Sequence, residues 1–216
     1  MKKIASPLFQ DLSEAELDTL AAAGHLRTRQ FAKHEVIFRA GSCVREIGIV
    51  LRGSVHIENL DLWGTKSILS SVGAGQAFAE TYAFCGDALM VDAVAAEDCE
   101  VLFLHTGALS DSRVPAGVRG TLLHDLLTVS MRKNLSLSQR IFCTTPKTVR
   151  GRLLTYFSAQ AAKADSPEFE IPFNRQQMAD YLNLDRSALS KELGRMRDEG
   201  LLEFEKNHFI LKQLPE

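Results

Sequence analysis

The feature that most constrains the fold is a short break between two helical patterns in MADYLNLDRSALSKELGRMRDEGLLEF, residues 178–204. Just before it, Asn174 and Gln177 have the spacing of a capping box, so a short helix begins there. Asn183 is one of the few non-glycine residue types that tolerate a left-handed backbone. Asp185 can then cap a second helix. Two short helices joined by such a tight turn predict a helix-turn-helix.

The second helix of this motif has two chemically different faces, given about 100° between successive residues. The inner, apolar face consists of Leu189, Leu193 and Met196. The opposite face is small and polar and consists of Ser187, Ser190, Lys191 and Gly194. Small side chains let a helix approach the floor of a DNA groove, where serine and lysine can bond base edges or phosphates. Arg186 and Arg197 flank this face and can reach the DNA backbone.

Residues 201–212, LLEFEKNHFILK, contain two alternating apolar runs around a polar turn. This pattern predicts a β-hairpin, and a hairpin after the second helix makes a winged helix-turn-helix. From Pro146 onward, 11 Lys and Arg residues balance 11 Asp and Glu residues. DNA binding would therefore depend on local placement of basic groups rather than on bulk charge. The alternative is a helix-turn-helix that serves only as a packing unit.

Residues 26–104 show a different pattern, in which short runs such as EVIF, IGIVL and EVLFL are separated by glycines. Strands at this spacing are typical of a β-sandwich or barrel. Ahead of them, Ser13 and Glu16 have the spacing of a capping box, and Gly24 can end the helix that follows. Asp61–Gly64 is predicted to be a hairpin tip.

A long helix is predicted from about Val118 to Phe142, because this segment contains no proline. Along one side of this helix, here called the seam, residues recur at alternating spacings of four and three. The seam residues are Leu123, Leu127, Ser130, Asn134, Leu137 and Ile141. This spacing is that of a coiled coil. It favours a homodimer over a helix that packs only on its own barrel. After the helix, Thr145 can cap the next helix and Pro146 can begin it.

The sequence therefore predicts an α+β protein with three parts. Residues 1–117 form an N-terminal β-barrel, residues 118–145 form the long dimerisation helix and hinge, and residues 146–216 form the C-terminal winged helix-turn-helix. No apolar run reaches the length of about 20 residues that spans a membrane. The first residues carry no secretory signal, so we expect a cytoplasmic protein.

The sequence indicates neither catalysis nor metal binding. It contains no nucleophile elbow, phosphate loop or metal-spaced His/Glu motif. We therefore expect no enzyme activity, no catalytic residue and no metal site. Cys43, Cys85, Cys99 and Cys143 are too dispersed for an iron–sulfur cluster. We interpret them as reduced, partly buried thiols.

Taken together, these elements resemble the Crp/Fnr family (cAMP receptor protein and fumarate–nitrate regulator). The resemblance covers nearly all 216 residues and is most specific in NRQQMADYLNLDRSALSKELGRMRDEGLL. It implies that residues 1–117 form a jelly-roll barrel (double-stranded β-helix) like that of cyclic nucleotide-binding domains, and that this barrel senses an effector. It also implies a homodimer that reads a roughly palindromic double-stranded DNA site, and contact with RNA polymerase if the protein activates transcription.

The resemblance also assigns DNA-contacting positions to the chain. The positions that match the family are Arg186, Ser187, Ser190 and Lys191, and Arg175 and Arg197 are further candidates. In both archetypes an acidic residue stands at the position of Ser187 and an arginine at that of Lys191. A shorter acceptor and a point charge do not reproduce that readout, so we expect a different half-site.

The segment GAGQAFAETYAFCGDALMVDAV resembles the part of the family's barrel that holds a cyclic phosphate. Glu80 is retained, but Ala79 stands at the family's glycine. Met90 and Val91 stand at the family's Arg–Ser pair. A phosphodiester needs a cationic or amide-rich clamp, so we expect an apolar pocket that does not bind cAMP.

We expect this pocket to lie between the barrel and the long helix. Its candidate lining residues are Glu80, Thr81, Tyr82, Met90, Asn134 and Ser138. A small, partly apolar metabolite and a redox-active group both fit, and the cofactor stays unidentified. One alternative is a haem sensor that uses His56 or His105. Another is a sensor or interaction module that has lost specific DNA binding.

Overall fold

The computed structural model describes residues 4–60 and 66–212. The chain divides into two compact units, Met1–Arg132 and Lys133–Glu216. The strands of the first unit are β1 (Leu26–Phe31), β2 (Val36–Phe38), β3 (Glu46–Arg52), β4 (Ser54–Leu60), β5 (Lys66–Gly73), β6 (Ala77–Phe78), β7 (Asp92–Ala95) and β8 (Cys99–His105). Its helices are α1 (Glu14–Ala22), α2 (Glu80–Cys85) and the first part of α3 (Ala116–Thr144).

The strands of the first unit form two four-stranded sheets, in the orders β1-β8-β3-β6 and β2-β7-β4-β5. Neighbouring strands are antiparallel, as in the pairing of Leu26 with Leu104. Aromatic side chains of both sheets meet between them, where the ring of Phe38 lies 5.8 Å from that of Phe78 and 5.6 Å from that of Phe103. The predicted β-barrel is confirmed.

A second core packs α1 and the start of α3 against the barrel. Its buried members include Leu8, Phe9, Leu17, Ile49, Leu122 and Leu126. The capping box of Ser13 and Glu16 at the start of α1 is present as predicted, and Gly24 has a left-handed φ of 82°. The hairpin tip predicted at Asp61–Gly64 lies outside the described residues.

The predicted long helix is confirmed as α3 and extends slightly beyond both predicted ends. The environment of this helix changes along its length. Val118, Leu122 and Leu126 are buried in the core of the first unit, whereas residues 131–142 are all exposed. The first part of α3 thus belongs to the barrel, and the later part presents its side chains to solvent.

The second unit begins with the end of α3 and continues with α4 (Val149–Ala164), β9 (Glu168–Glu170), α5 (Arg175–Leu182), α6 (Arg186–Asp198), β10 (Leu202–Glu205) and β11 (His208–Leu211). Its three strands form one sheet in the order β10-β11-β9. The buried core is aromatic, and the rings of Phe157 and Phe209 lie 4.6 Å apart. The hairpin and the two helices before it confirm the predicted winged helix-turn-helix.

The prediction that Thr145 caps α4 and Pro146 begins it is wrong. The N-cap is Thr148, whose side chain accepts a hydrogen bond from the backbone N–H of Gly151 at 3.0 Å. The hydroxyl of Thr145 is already used by the preceding helix, because it donates to the carbonyl of Ile141 at 2.8 Å. The new helix therefore starts only where a free side-chain acceptor becomes available.

All four cysteines are free thiols. The interpretation of partly buried thiols is correct for Cys99 and Cys143, and burial raises the pKa of both. It is wrong for Cys43 and Cys85, which are exposed. Within the described residues, no helix is both long enough and apolar enough to cross a membrane.

Candidate nucleic-acid interface and sensor pocket

Three side chains satisfy backbone groups at the starts of α5 and α6. The side chain of Asn174 accepts a hydrogen bond from the backbone N–H of Gln177 at 2.9 Å, and the side chain of Gln177 accepts one of the same length from the backbone N–H of Asn174. Asn183 ends α5 with a φ of 53°, in the left-handed region. Asp185 then accepts from the N–H of Ala188 at 2.9 Å. These contacts fix where the second helix starts and which side of it faces out.

The two faces of α6 are separated as the sequence predicted. Leu189, Leu193 and Met196 are at most 1% exposed and anchor the helix in the unit's core. The exposed residues at the start and on the outer face are Arg186, Ser187, Ser190 and Lys191. Gly194 lies on the same side, and a Cβ there would meet nothing within 4 Å. The helix therefore presents a small, polar and basic surface that can enter a groove.

Ser187 differs from its neighbours because its hydroxyl is already engaged. It donates to the carboxylate of Asp185, and this bond is the main cause that lowers the pKa of Asp185. Arg186, Ser190 and Lys191 have no recorded polar partner within the described part of the chain. These three side chains are thus the ones available for a ligand on this face.

The other two DNA-contact candidates already have partners in this unit. The guanidinium carbon of Arg175 lies 4.9 Å from the ring centroid of Phe204 and 5.1 Å from that of Phe209. Burial lowers the pKa of Arg175. Arg197 bonds to Asp198 at 3.1 and 3.2 Å. Arg175 thus packs α5 against the wing, and its role as a DNA contact stays a prediction.

A concave surface beside the wing was not predicted from the sequence. It has a volume of about 440 Å³ and is lined by Pro172, Phe173, Asn174, Arg175, Lys206 and Asn207. Part of its polar lining already has partners, since Arg175 packs on the rings of the wing and Nδ2 of Asn207 donates to the carbonyl of Ile171 at 3.3 Å. The polar pair Lys206-Asn207 marks the hairpin turn in the sequence, but nothing in the sequence places that turn beside Asn174.

The first unit contains a pocket between α2 and the first part of α3. Its volume is about 230 Å³, and it is lined by Glu80, Thr81, Phe84, Cys85, Leu123, Leu126, Leu127 and Ser130. Glu80 is only 6% exposed. Apart from this carboxylate the lining is mainly apolar, and none of these eight residues is a lysine or an arginine.

Of the six predicted lining residues, the structure brings Glu80 and Thr81 together in this pocket. Tyr82 instead packs against the barrel core. Met90 is 77% exposed, because its neighbour Leu89 occupies the buried position. Asn134 and Ser138 are exposed on the part of α3 that belongs to the second unit.

The six lining residues that the prediction missed are Phe84, Cys85, Leu123, Leu126, Leu127 and Ser130. Three of them, Leu123, Leu127 and Ser130, are also positions of the predicted seam of α3. The sequence signal for them is the part of this seam that lies closest in sequence to the barrel.

Other polar groups of the first unit have structural partners. His105 accepts through Nδ1 from the N–H of Gly107 at 3.0 Å, and His56 lies 3.9 Å from Glu58. The side-chain atoms of Asp11, His124 and Asp125 that are able to bind a metal ion lie within 4.8 Å of one another. Asp125 also accepts from the backbone N–H of Asp11 at 3.3 Å, which ties the N-terminal segment to α3.

Comparison with known proteins gives one family match in each of the two units. The chain matches the family model "Cyclic nucleotide-binding domain" over residues 28–111 and the model "Crp-like helix-turn-helix domain" over residues 151–216. The cyclic AMP receptor protein of Thermus thermophilus is 24% identical over 199 residues, which cover 91% of this chain and 88% of the relative.

Solved structures show the same fold. The crystal structure of the Thermus thermophilus catabolite activator protein has a TM-score of 0.50 and 23% identity, and covers 96% of this chain and 94% of that chain. The structure of CprK complexed with OCPA has a TM-score of 0.64 and 14% identity, and covers 92% of this chain and 89% of that chain.

Proposed function

We propose that this chain, which belongs to the Crp/Fnr family of transcriptional regulators, acts as a homodimer. We further propose that a small, partly apolar effector controls this homodimer. The chain is a DNA-binding regulator with a sensor domain like those that bind cyclic nucleotides. Its family matches are regulators rather than enzymes. The dimer, the effector and the DNA site are proposals, and each rests on a different observation.

The proposal of specific DNA binding is carried by the outer face of α6. Arg186, Ser190 and Lys191 are exposed there around a glycine, while the apolar face holds the helix in its domain. A two-fold dimer would place two such helices in major grooves about one helical turn apart. The outward Ser187 and Lys191 support a half-site different from those of the family's archetypes. Contact with RNA polymerase is proposed only for promoters that the protein activates.

The homodimer is supported by the exposed apolar side of α3. Leu123, Leu127, Leu137 and Ile141 are 48%, 54%, 60% and 66% exposed in the single chain. Met131, Leu135 and Phe142 add further exposed apolar surface to the same helix. A contiguous exposed apolar patch marks an interaction site, and the four-three spacing fits a second copy of the same helix.

The effector proposal follows from the lining of the pocket between α2 and α3. A phosphodiester would need a cation or several amides, but none of the eight lining residues is a lysine or an arginine. Phe84, Leu123 and Leu127 instead favour an apolar body, and Glu80 and Ser130 can orient one polar group of it. We therefore propose that the effector is a small, partly apolar molecule other than cAMP.

The deciding experiment is a DNA mobility shift with the purified full chain and its own promoter DNA, repeated over a series of salt concentrations. A specific regulator shifts this DNA at lower protein concentration than scrambled DNA of the same length, and its affinity falls linearly on a log–log plot against salt. Equal affinity for both DNAs, or no shift, would instead support the alternative of a module that has lost specific DNA binding. Footprints with and without cell extract would then show whether an effector is needed.

A further inference from the structure

The helix α5 ends in carbonyl groups that need partners from outside the helix. The last four carbonyls of an α-helix have no intrahelical donor. Two of them also have backbone donors, since the carbonyl of Ala179 accepts from the N–H of Leu184 at 2.9 Å and that of Asp180 from the N–H of Asn183 at 3.3 Å. Side chains of two arginines bind all four carbonyls of residues 180–183.

The first of these arginines is Arg140, which lies near the end of α3. Its Nε donates to the carbonyl of Tyr181 and its Nη2 to that of Asp180, both at 3.1 Å. The guanidinium carbon also lies 5.8 Å from the centroid of the Tyr181 ring. Two bonds from one planar group fix the orientation as well as the distance between α3 and the end of α5.

The second arginine is Arg152 of α4. Its Nη1 donates to the carbonyl of Leu182 at 3.1 Å and to that of Asn183 at 2.7 Å. Its Nε donates to the carbonyl of Pro146 at 2.8 Å. One side chain thus holds the segment that joins α3 to α4 and the turn that joins α5 to α6.

Arginine suits this position for two reasons. A cation at a helix C-terminus is favoured by the helix dipole, and the five donors of a guanidinium form a fork that can bind neighbouring carbonyls together. Immediately after the bound carbonyls come Leu184 and Asp185, and Asp185 is the N-cap of α6. The N-cap of the recognition helix therefore lies two residues beyond the last bound carbonyl.

We propose that Arg140 and Arg152 form an arginine clamp that positions the recognition helix for specific DNA binding without touching the DNA. The proposal rests on the DNA-binding function proposed above and deepens it. Arg140 is the more informative member, because it lies on the same helix as the exposed apolar seam. A change in the end of α3 is thereby transmitted to the turn of the helix-turn-helix.

The test compares two Arg→Met variants of the full chain that lie on the same helix. Arg140→Met removes both hydrogen bonds and keeps an unbranched apolar stem. Arg132→Met is the matched control, since Arg132 is exposed and has no recorded polar partner within the described residues. Affinity is measured for the footprinted promoter site and for scrambled DNA of equal length.

We expect Arg140→Met to weaken binding to the promoter site by about tenfold, which corresponds to about 1.4 kcal/mol. The affinity for scrambled DNA should change less than about twofold, because contacts to phosphates carry no sequence information and depend less on the orientation of α6. The control should match wild type on both DNAs. A loss of folded protein would lower both affinities together, so the ratio between the DNAs separates positioning from stability.

Promoter affinity of Arg140→Met within about twofold of wild type would overturn the clamp proposal. Where thermal melts show that this variant does not fold, Arg140→Lys takes its place. Lysine keeps the positive charge but lacks the planar fork of the guanidinium. We therefore expect the ratio of promoter affinity to scrambled-DNA affinity to fall by less than the tenfold expected for Arg140→Met. A ratio equal to that of wild type would refute the clamp. A wild-type protein that does not prefer its promoter would overturn the proposed function itself.

Discussion

Replacing Ala79 with glycine should stabilise the sensor domain, because Ala79 has an unfavourable backbone conformation. This residue precedes α2 with φ 63° and ψ 9°, in the left-handed region. A residue with a Cβ pays about 1–2 kcal/mol there, whereas glycine adopts the region freely but loses roughly 0.5–1 kcal/mol more backbone entropy on folding. The difference predicts that Ala79→Gly raises the free energy of unfolding by about 0.5–1 kcal/mol.

The measurement is amide hydrogen exchange of the full chain over a series of urea concentrations. The backbone amides of β3 and β8 are followed, because both strands lie in the first unit and their protection reports its free energy of unfolding. The matched control is Ala83→Gly inside α2, where the backbone is right-handed and buried. There the same change should cost about 1 kcal/mol. If both variants lose stability equally, the argument from the left-handed conformation of Ala79 is refuted.

Three further predictions concern the dimer, the effector and the DNA. Leu127→Asp together with Leu137→Asp should give monomers by sedimentation and abolish DNA binding at once, and a double variant that stays dimeric would contradict the proposed seam. Calorimetry should detect no tight cAMP binding, so a micromolar dissociation constant, about 8 kcal/mol of binding free energy, would contradict the proposed pocket chemistry. Lys191→Ala should cost about 1–3 kcal/mol and relax preference at one position per half-site if Lys191 reads a base. If it contacts only phosphate, the loss should be similar on all sequences and the salt slope should shrink by about one. Unchanged affinity and salt dependence would place the DNA surface elsewhere.

The helix-turn-helix could be predicted from sequence because its signals are local. Asn174, Asn183 and Asp185 each act on backbone groups within a few residues of themselves, so residue type and spacing suffice. The seam of α3 is also local, since it follows from helical periodicity alone. Thr145 shows the limit of such reasoning, because a hydroxyl that suits a cap was instead used by the preceding helix.

The lining of the pocket between α2 and α3, the proposed effector site, depends on which elements lie side by side, and local sequence patterns do not give that. Glu80 and Thr81 were found through the resemblance, whereas the choice of Tyr82 required knowing how α2 is rotated against the barrel. The assignment of Met90 depended on whether it or Leu89 turns inward. The arginine clamp shows the same difficulty, since Arg140 meets its carbonyl partners across about forty residues of sequence.

The shared use of Leu123 and Leu127 has a thermodynamic consequence. Both side chains line the pocket of the first unit, and both belong to the seam proposed to join two copies. A ligand that contacts them and a second chain that contacts them are therefore linked equilibria, and each must change the apparent affinity of the other by the same factor. Effector titrations at two protein concentrations, above and below the dimer dissociation constant, should give different midpoints. The regulator would thus respond to its own abundance as well as to its effector.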